Sequence, residues 1–348
     1  MRKLPQKTVL AVSAFILLFT VCGSPQKNMY MTDRPTDVVT GLSVPWSLDF
    51  LPGGIMIFTE RQGNIRTFSF KEKHLTDIGF IQAANDQEAG LLGIAADPDF
   101  ISTKYIYLYY TYSTDGGMFN RVTRFTFFNT LENEAVLLDS IPASPLHNGG
   151  RLKFGPDGTL YITTGDAQNP QNSSDKKSLA GKILRINRDG TIPQDNPFGN
   201  AVWALGLRNP QGLAWDKNGT LYASDHGPEM YDAIRKIERG QNYGWPSRKC
   251  DETPAVRCYT DLTLAPSGIA IIGDTLYAAG LKGKQLRRIN LTTNKDNALL
   301  TEYGRLRDAV VHEGALYITT SNRDGRGTPQ GGDDRIIRYP FMALSILE

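Results

Sequence analysis

A tight turn followed by a short strand recurs six times along this chain of 348 residues, as in GPDGTLYITTGD. The Gly, Pro, Asn and Asp residues that begin each copy are those that hairpin turns require. No long stretch has the 3.6-residue apolar period of an amphipathic helix, so we predict an all-β fold. Aligning the copies superimposes Met56, Tyr107, Tyr161, Tyr222, Tyr277 and Tyr317.

The spacing between copies, 40 to 61 residues, is typical of a β-propeller with four strands in each blade. Two packed β-sandwiches and a β-solenoid are the alternatives. Sandwiches would not repeat one hairpin six times, and solenoid repeats are usually shorter. We therefore predict a single six-bladed β-propeller over residues 36–348, which would be the catalytic domain.

The N-terminus has the pattern of an export signal. Arg2, Lys3 and Lys7 precede an apolar run from Thr8 to Val21 that is short for a membrane span. Residues 1–22 are therefore predicted to direct export to the periplasm, with residues 23–35 as a tether. Cys22 directly follows the apolar run and resembles a lipoprotein cleavage site, which predicts a lipid anchor. Ordinary signal cleavage nearby is the alternative.

Charge and cysteine content narrow the function classes. The formal net charge of +2 argues against a nucleic-acid-binding protein, which would normally show a basic excess. Cys250 and Cys258 lie eight residues apart in a polar segment. In an oxidising compartment such a pair predicts a short-loop disulfide.

Hairpin register brings particular side chains together. Pairing residue 155 with residue 158 in the third hairpin sets His147 opposite Asp166. The same construction sets Arg208 opposite Gly227 and Arg305 opposite Asn322. Equivalent positions of a propeller share one face of the disc, and that face is predicted to collect Arg61, His147, Asp166, Arg208, Lys282, Arg305 and Arg307.

This set of residues indicates acid–base chemistry beside an anionic ligand. A histidine held by a carboxylate is suited to act as a general base. Clustered cations at a channel mouth indicate a polyanion, because unpaired cations are costly at a constricted site. A structural His–Asp pair and salt bridges between blades are the alternative explanations.

Several segments resemble one family. LHNGGRLKFGPDGTLYITTGD, GLRNPQGLAW, SDHGPEMYDAIRKIERGQNYGWP and RLRDAVV are similar to the soluble quinoprotein glucose dehydrogenases. They are closer still to the aldose sugar dehydrogenases that use pyrroloquinoline quinone. The resemblance covers about residues 38–340. It implies a six-bladed propeller that oxidises the C1 hydroxyl of aldoses to lactones.

The resemblance also implies a role for each matching residue. His147 matches the catalytic base, Asp166 the carboxylate that orients it, and Arg208 the cation that stabilises developing oxyanion charge. Gly227 and Pro228 match the backbone carbonyls that hold a calcium ion. Asp232-Ala233 stands where the family commonly has Asp-Glu, so a second calcium is not implied. The residues matched to contacts with the cofactor or its surroundings are Glu88, Asn209, Gln211, Lys282, Arg305 and Arg307.

Two other functions are considered. A calcium-dependent lactonase would need a carboxylate-rich centre, whereas this face is cationic. A non-catalytic binding propeller would not need both the His147–Asp166 pair and Arg208-Asn209. No Cys-x-x-Cys-His motif for haem attachment is present, so the electrons must leave through a partner or mediator that the sequence does not identify.

Overall fold

The computed structural model describes Met1 and residues 34–341, and residues 34–341 lie in one compact unit. The predicted export signal apart from Met1, including the lipid-anchor site Cys22, and most of the predicted tether lie outside the described residues. Within the described part of the chain, no helix has the length and apolar character needed to cross a bilayer.

The described chain contains six antiparallel sheets of four strands each. In chain order, the first strand β1 (Thr36–Val39) is followed by blade 1, which contains β2 (Pro45–Leu51), β3 (Ile55–Glu60), β4 (Asn64–Ser69) and β5 (His74–Phe80). Blade 2 contains β6 (Leu91–Ala96), β7 (Tyr105–Thr114), β8 (Gly117–Phe127) and β9 (Leu131–Pro142). Blade 3 contains β10 (Leu152–Phe154), β11 (Leu160–Thr164), β12 (Lys182–Ile186) and β13 (Val202–Leu205).

The second half of the chain repeats this plan. Blade 4 contains β14 (Pro210–Trp215), β15 (Leu221–Asp225), β16 (Asp232–Ile237) and β17 (Arg257–Tyr259). Blade 5 contains β18 (Pro266–Ile272), β19 (Thr275–Gly280), β20 (Gln285–Asn290) and β21 (Asp296–Leu299). Blade 6 contains β22 (Leu306–His312), β23 (Ala315–Thr320) and β24 (Ile336–Pro340). The short helices are α1 (Phe100–Thr103) and the 3₁₀ turns Pro170–Ser173, Cys250–Glu252 and Thr301–Tyr303.

The blades form a closed ring. Each innermost strand contacts the innermost strand of the next blade, and β22 of blade 6 contacts β2 of blade 1. The aligned residue of every sequence repeat, Met56 or one of the five tyrosines, lies in the second strand of its blade and is at most 9 % exposed. The predicted all-β, six-bladed propeller is confirmed.

The ring is closed by the N-terminal strand, which hairpin counting did not reveal. β1 pairs with β24 as the outermost strand of blade 6, with Asp37 opposite Ile337. Val39 is buried with residues of blades 1 and 6, among them Leu48 and Tyr317. Blade 6 is therefore assembled from both ends of the propeller.

The predicted hairpin register is wrong by one residue near the turn of the third blade. Phe154 pairs with Leu160, because Gly158 adopts a left-handed conformation (φ 75°) and lengthens the loop by one residue. Farther from the turn, a bulge at Gly150 and Arg151 shifts the register back by one residue. The N–H groups of Gly150 and Arg151 both point to Thr163, one to its carbonyl and one to its hydroxyl. His147 consequently does lie beside Asp166.

Blade 4 has the same pair of corrections. Leu213 pairs with Ala223, one residue away from the predicted register, and a bulge between Pro210 and Gly212 restores it at Pro210–Asp225. In blade 6, the pairing of Asp308 to His312 with β23 agrees with the prediction, and a bulge between Leu306 and Asp308 shifts the register before this stretch. The predicted disulfide between Cys250 and Cys258 is confirmed.

Candidate active site

The candidate site is built by loops that enter the innermost strands and loops that leave the second strands, at one end of the axis. His147 Nδ1 lies 2.8 Å from Asp166 Oδ1. The histidine side chain is 17 % exposed and the carboxylate 1 % exposed. A hydrogen bond between Nδ1–H and the carboxylate leaves Nε2 as the nitrogen able to accept a proton. The predicted His–Asp pair is therefore present in the structure.

Asp166 is held on both of its oxygens. Oδ1 accepts the backbone N–H of Gln168 as well as the imidazole, at 2.9 Å and 2.8 Å. Oδ2 accepts the indole N–H of Trp245 at 2.9 Å. The backbone N–H of Asp166 donates to the carbonyl of Arg208. The carboxylate is therefore fixed in orientation before any ligand binds.

Glu88 holds the backbone of His147 and is itself held by Arg326. Its Oε2 accepts the His147 backbone N–H at 3.1 Å, and its Oε1 accepts Arg326 Nη1 at 2.6 Å. Burial alone would raise the pKa of Glu88, but the hydrogen bond and charge of Arg326 lower it to about 2. Glu88 is thus ionised and acts on His147 through the main chain.

A second histidine adjoins the site. Burial, together with the charges of Arg208 and Arg307 and against that of Glu88, lowers the pKa of His226 to about 3. Its imidazole is therefore neutral, and its buried Nε2 has no hydrogen-bond partner. Sequence reasoning did not assign His226 a role.

Arg208 and Asn209 follow β13 and are fixed by one carboxylate. Asp225 Oδ1 accepts both of their backbone N–H groups, at 3.1 Å and 2.9 Å. Asn209 Oδ1 accepts the N–H of Gly149, which ties this segment to the loop of His147. Its Nδ2 is buried without a partner, so one amide donor remains available.

The predicted cations of blade 6 are only partly unpaired. Asp324 Oδ2 accepts Arg305 Nε and Nη2 at 3.0 Å and 2.8 Å, and lies 3.6 Å from Arg307 Nη2. Arg307 Nη1 donates to Gln211 Oε1, which also accepts the Ser267 hydroxyl. Arg305 was matched to a cation that holds the cofactor, and the structure pairs it with Asp324 in the loop after β23.

The positive charge nevertheless exceeds what Asp324 can balance. Burial lowers the pKa of Arg307 to about 9, and burial also lowers the pKa of Arg61. The Nε atoms of both arginines are buried without a partner. Two desolvated guanidinium groups with unused donors are favourable for an anionic ligand that supplies the missing acceptors.

The two predicted calcium ligands lie in the turn after β15. Gly227 donates its N–H to Asp232 Oδ1, and Pro228 accepts the N–H of Met230 through its carbonyl. Asp232 Oδ2 accepts the backbone N–H groups of Leu264 and Ala265. Asp232 therefore links this turn to the next loop, and both of its carboxylate oxygens accept backbone hydrogen bonds.

Lys282 is exposed in the loop after β19. It adjoins Leu281, whose carbonyl accepts Arg305 Nη1 at 3.2 Å. The residue before Lys282 thus contacts Arg305, but the structure shows no contact between the Lys282 ammonium group and the arginines.

Besides His226, sequence reasoning assigned no role to three residues of the site: Trp245, Asp324 and Arg326. Each reaches the site from a long loop, where strand periodicity carries no information about direction. The NYGWP segment was noticeable as an aromatic turn, but its partner Asp166 is 79 residues away. Arg326 is 238 residues from Glu88.

A separate cavity of about 200 Å³ lies on the axis, lined by residues of all six innermost strands. It contains Asp49 and Lys153, while Arg151 and Asp308 form an ion pair of 2.6 Å at its wall. Burial raises the pKa of Asp49 and lowers that of Lys153. The lining of this cavity includes neither His147 nor Asp166, so the cavity is separate from the candidate site.

A carboxylate-held histidine lies at one end of the axis of this six-bladed propeller, with the arginines that carry unused buried donors, and such a set is suited to acid–base chemistry on an anionic ligand. The family described as Glucose / Sorbosone dehydrogenase matches residues 42–337. The chain belongs to this family and is an oxidoreductase of it.

The relatives whose names state an activity are glucose or aldose sugar dehydrogenases. The chain is 28 % identical to an aldose sugar dehydrogenase of Escherichia coli, over 82 % of this chain and 89 % of that protein. It is 36 % identical to quinoprotein glucose dehydrogenase B of Acinetobacter calcoaceticus, over 58 % of this chain and 48 % of that protein. The structure of aldose sugar dehydrogenase from Streptomyces coelicolor in its pyrroloquinoline-quinone-bound form is 37 % identical, with a TM-score of 0.82 over 88 % of this chain and 98 % of that one.

Proposed function

We propose that this protein oxidises the C1 hydroxyl of aldose sugars to lactones with pyrroloquinoline quinone and Ca²⁺. The observation that carries the proposal is the 2.8 Å His147–Asp166 pair at the end of the axis where Arg61 and Arg307 each have a buried Nε donor without a partner. The family membership and the quinone-bound relative support the choice of cofactor.

His147 is the general base of the proposed reaction. Its Nε2 takes the proton from the C1 hydroxyl, while the hydrogen on C1 leaves as hydride. Asp166 keeps the other nitrogen protonated and stabilises the imidazolium that forms. When bound, the quinone supplies the hydride acceptor. One proton and one hydride thus leave the sugar, which accounts for both hydrogens lost in forming the lactone.

Arginine side chains would hold the cofactor. Pyrroloquinoline quinone carries three carboxylates, and guanidinium groups bind carboxylates through paired N–H donors. Arg307 and Arg61 have unused buried Nε donors, and Asn209 has an unused buried amide donor. Arg208 would stabilise negative charge that develops at the oxidised centre. Lys282, Arg305 and Gln211 complete the proposed set.

Calcium would be held by the carbonyl oxygens of Gly227 and Pro228. Calcium takes six to eight oxygen ligands, so most of its ligands would have to come from the cofactor and water. Bound there, the ion would act as a Lewis acid toward a carbonyl oxygen.

Reconstitution tests the proposal. The protein prepared without cofactor should reduce an electron-accepting dye in the presence of an aldose only after both pyrroloquinoline quinone and Ca²⁺ are added. Each component omitted in turn is the control. An absence of both dye reduction and quinone binding would refute the proposed function. Hydrolysis of a lactone with Ca²⁺ alone would favour the lactonase alternative.

A further inference from the structure

The NYGWP segment, residues 242–246, has no part in the proposed reaction, yet it reaches the site. It belongs to the loop between the third and fourth strands of blade 4, and it packs on the outermost strand of blade 3. The N–H of Tyr243 donates to the carbonyl of Leu205, and the N–H of Trp245 donates to the carbonyl of Gly206. Two backbone hydrogen bonds therefore fix the position of Trp245 relative to blade 3.

The indole of Trp245 contacts two groups of the site. Its Nε1–H donates to Asp166 Oδ2 at 2.9 Å, whereas the other two donors to this carboxylate, His147 Nδ1 and the N–H of Gln168, both bind Oδ1. The guanidinium of Arg208 lies 5.6 Å from the indole ring centre. Trp245 thus lies between the carboxylate of the base and the cation assigned to oxyanion stabilisation.

We infer that Trp245 is a positioning residue for the base, acting through Asp166. The inference rests on the proposed function. Rotation about the Cβ–Cγ bond moves both oxygens of this 1 % exposed carboxylate together, and two donors already bind Oδ1. The indole N–H adds the donor on Oδ2, which fixes the plane of the carboxylate from its other side. It also withdraws charge from the carboxylate, which limits how strongly Asp166 favours protonated His147.

Trp245→Phe tests this inference in the cofactor-loaded enzyme, because it removes the N–H and keeps an aromatic ring beneath Arg208. We expect kcat to fall about tenfold while KM changes less than about twofold, since a buried charge-assisted hydrogen bond is lost. The midpoint of the acidic limb of the pH–rate profile should move to higher pH. A merely structural role would lower the active fraction without moving that midpoint.

The titratable groups near His147 are Asp166, Glu88 and His226, and the charge of Arg208 acts on His226; Trp245→Phe changes none of these four residues. Trp215→Phe is the matched control. Trp215 packs against Tyr161 at 5.2 Å in the interblade core and makes no contact with Asp166. This control should retain the wild-type midpoint.

A double-mutant cycle shows whether Trp245 acts through Asp166. In an Asp166→Asn background, Trp245→Phe should have little further effect on kcat. Independent, multiplicative losses would overturn the inference, as would an unchanged midpoint in the single variant.

The indole N–H signal gives a readout that needs neither cofactor nor turnover. The chain has four tryptophans, so Trp245→Phe assigns its own signal in a proton–nitrogen NMR spectrum. Asp166→Asn should move the Trp245 signal upfield, because a neutral amide accepts a weaker hydrogen bond. No movement would refute the contact. If the wild type proves inactive with quinone and sugar, the proposed function fails while this spectrum still decides the Trp245–Asp166 bond.

Discussion

At the scale of single residues, the site depends on an unusual backbone at His147. This residue adopts a left-handed conformation with φ of 62°, which is costly for a side chain other than glycine. Glu88 accepts its N–H, and the glycines that follow allow close packing against blade 3. A Cβ on Gly149 would lie 2.6 Å from the carbonyl oxygen of Thr163. The HNGG segment is therefore needed for this approach of the histidine to Asp166.

Glu88→Gln should make the protein less stable at neutral pH and change its response to acid. The folded-state pKa of Glu88 is lowered from 4.5 to about 2, so the unfolded chain binds more protons between these values. The stability that Glu88 contributes, about 3 kcal/mol, is present above pH 4.5 and is lost as the pH falls through 2. Urea unfolding from pH 6 to pH 3 should show the wild type and the variant converging as the pH falls.

Glu72→Gln, in an exposed turn, is the control for this comparison, since it should track the wild type throughout. A constant difference between Glu88→Gln and the wild type at every pH would contradict the proposed electrostatic role of the Arg326–Glu88 contact.

Residue pairs were predictable only where a hairpin joins them. His147 and Asp166 belong to the same hairpin, so counting from its turn brought them together. Arg305 could be placed on the correct face, but its pairing with Asp324 could not be predicted, because Asp324 lies in an irregular loop. Trp245 of blade 4 contacts Asp166 of blade 3, and neither the repeat nor the strand periodicity predicts a contact between loops of different blades.

At the scale of elements, the strand register shows where turn chemistry misled the prediction. A four-residue turn was assumed at Gly155–Gly158, whereas the left-handed Gly158 makes the loop one residue longer. The error did not reach the site, because bulges in the innermost strands shift the register back. Comparable shifts occur in blades 1, 2, 4, 5 and 6. These bulges could not be predicted from the alternation of apolar residues, because the innermost strands have only three to seven residues.

The loop between β11 and β12 carries Asp166 and is held from beneath by Lys182. This side chain is fully buried, and its Nζ donates to the carbonyls of Asn172, Ser173 and Ala180 at 2.6, 3.1 and 2.6 Å. Asn172 Nδ2 in turn donates to the carbonyl of Asp166. The lysine therefore supports the loop by satisfying three of its carbonyls.

Lys182→Met should lower the free energy of unfolding by about 2–4 kcal/mol, because these buried carbonyls lose their donor. Chemical denaturation measures this loss. Lys177→Met, in an exposed part of the same loop, should leave the stability within about 0.5 kcal/mol. Equal stabilities of the two variants would show that the buried ammonium group does not support the loop.

At the scale of the whole molecule, the propeller brings positive charge together at one end of its axis, which the near-neutral net charge does not reveal. The net charge is only +2, yet the buried Arg307 and the partly buried Arg61 lie at one end of the axis, where Asp324 balances only part of their charge. Repeat counting predicted the six blades and the shared face, since both follow from periodicity. The closure of blade 6 by β1 could not be predicted in this way, because a single strand of four residues lies outside the repeats.

The central claim is that this end of the ring joins a histidine base to a bound quinone. The most direct test loads wild-type protein, His147→Ala and the exposed-site control His74→Ala with pyrroloquinoline quinone and Ca²⁺. Each is then mixed anaerobically with an aldose, and cofactor binding and quinone absorbance are recorded. We predict that all three bind the cofactor and that only His147→Ala leaves its absorbance unchanged on the timescale of wild-type turnover. Quinone reduction by His147→Ala at the wild-type rate would contradict the account.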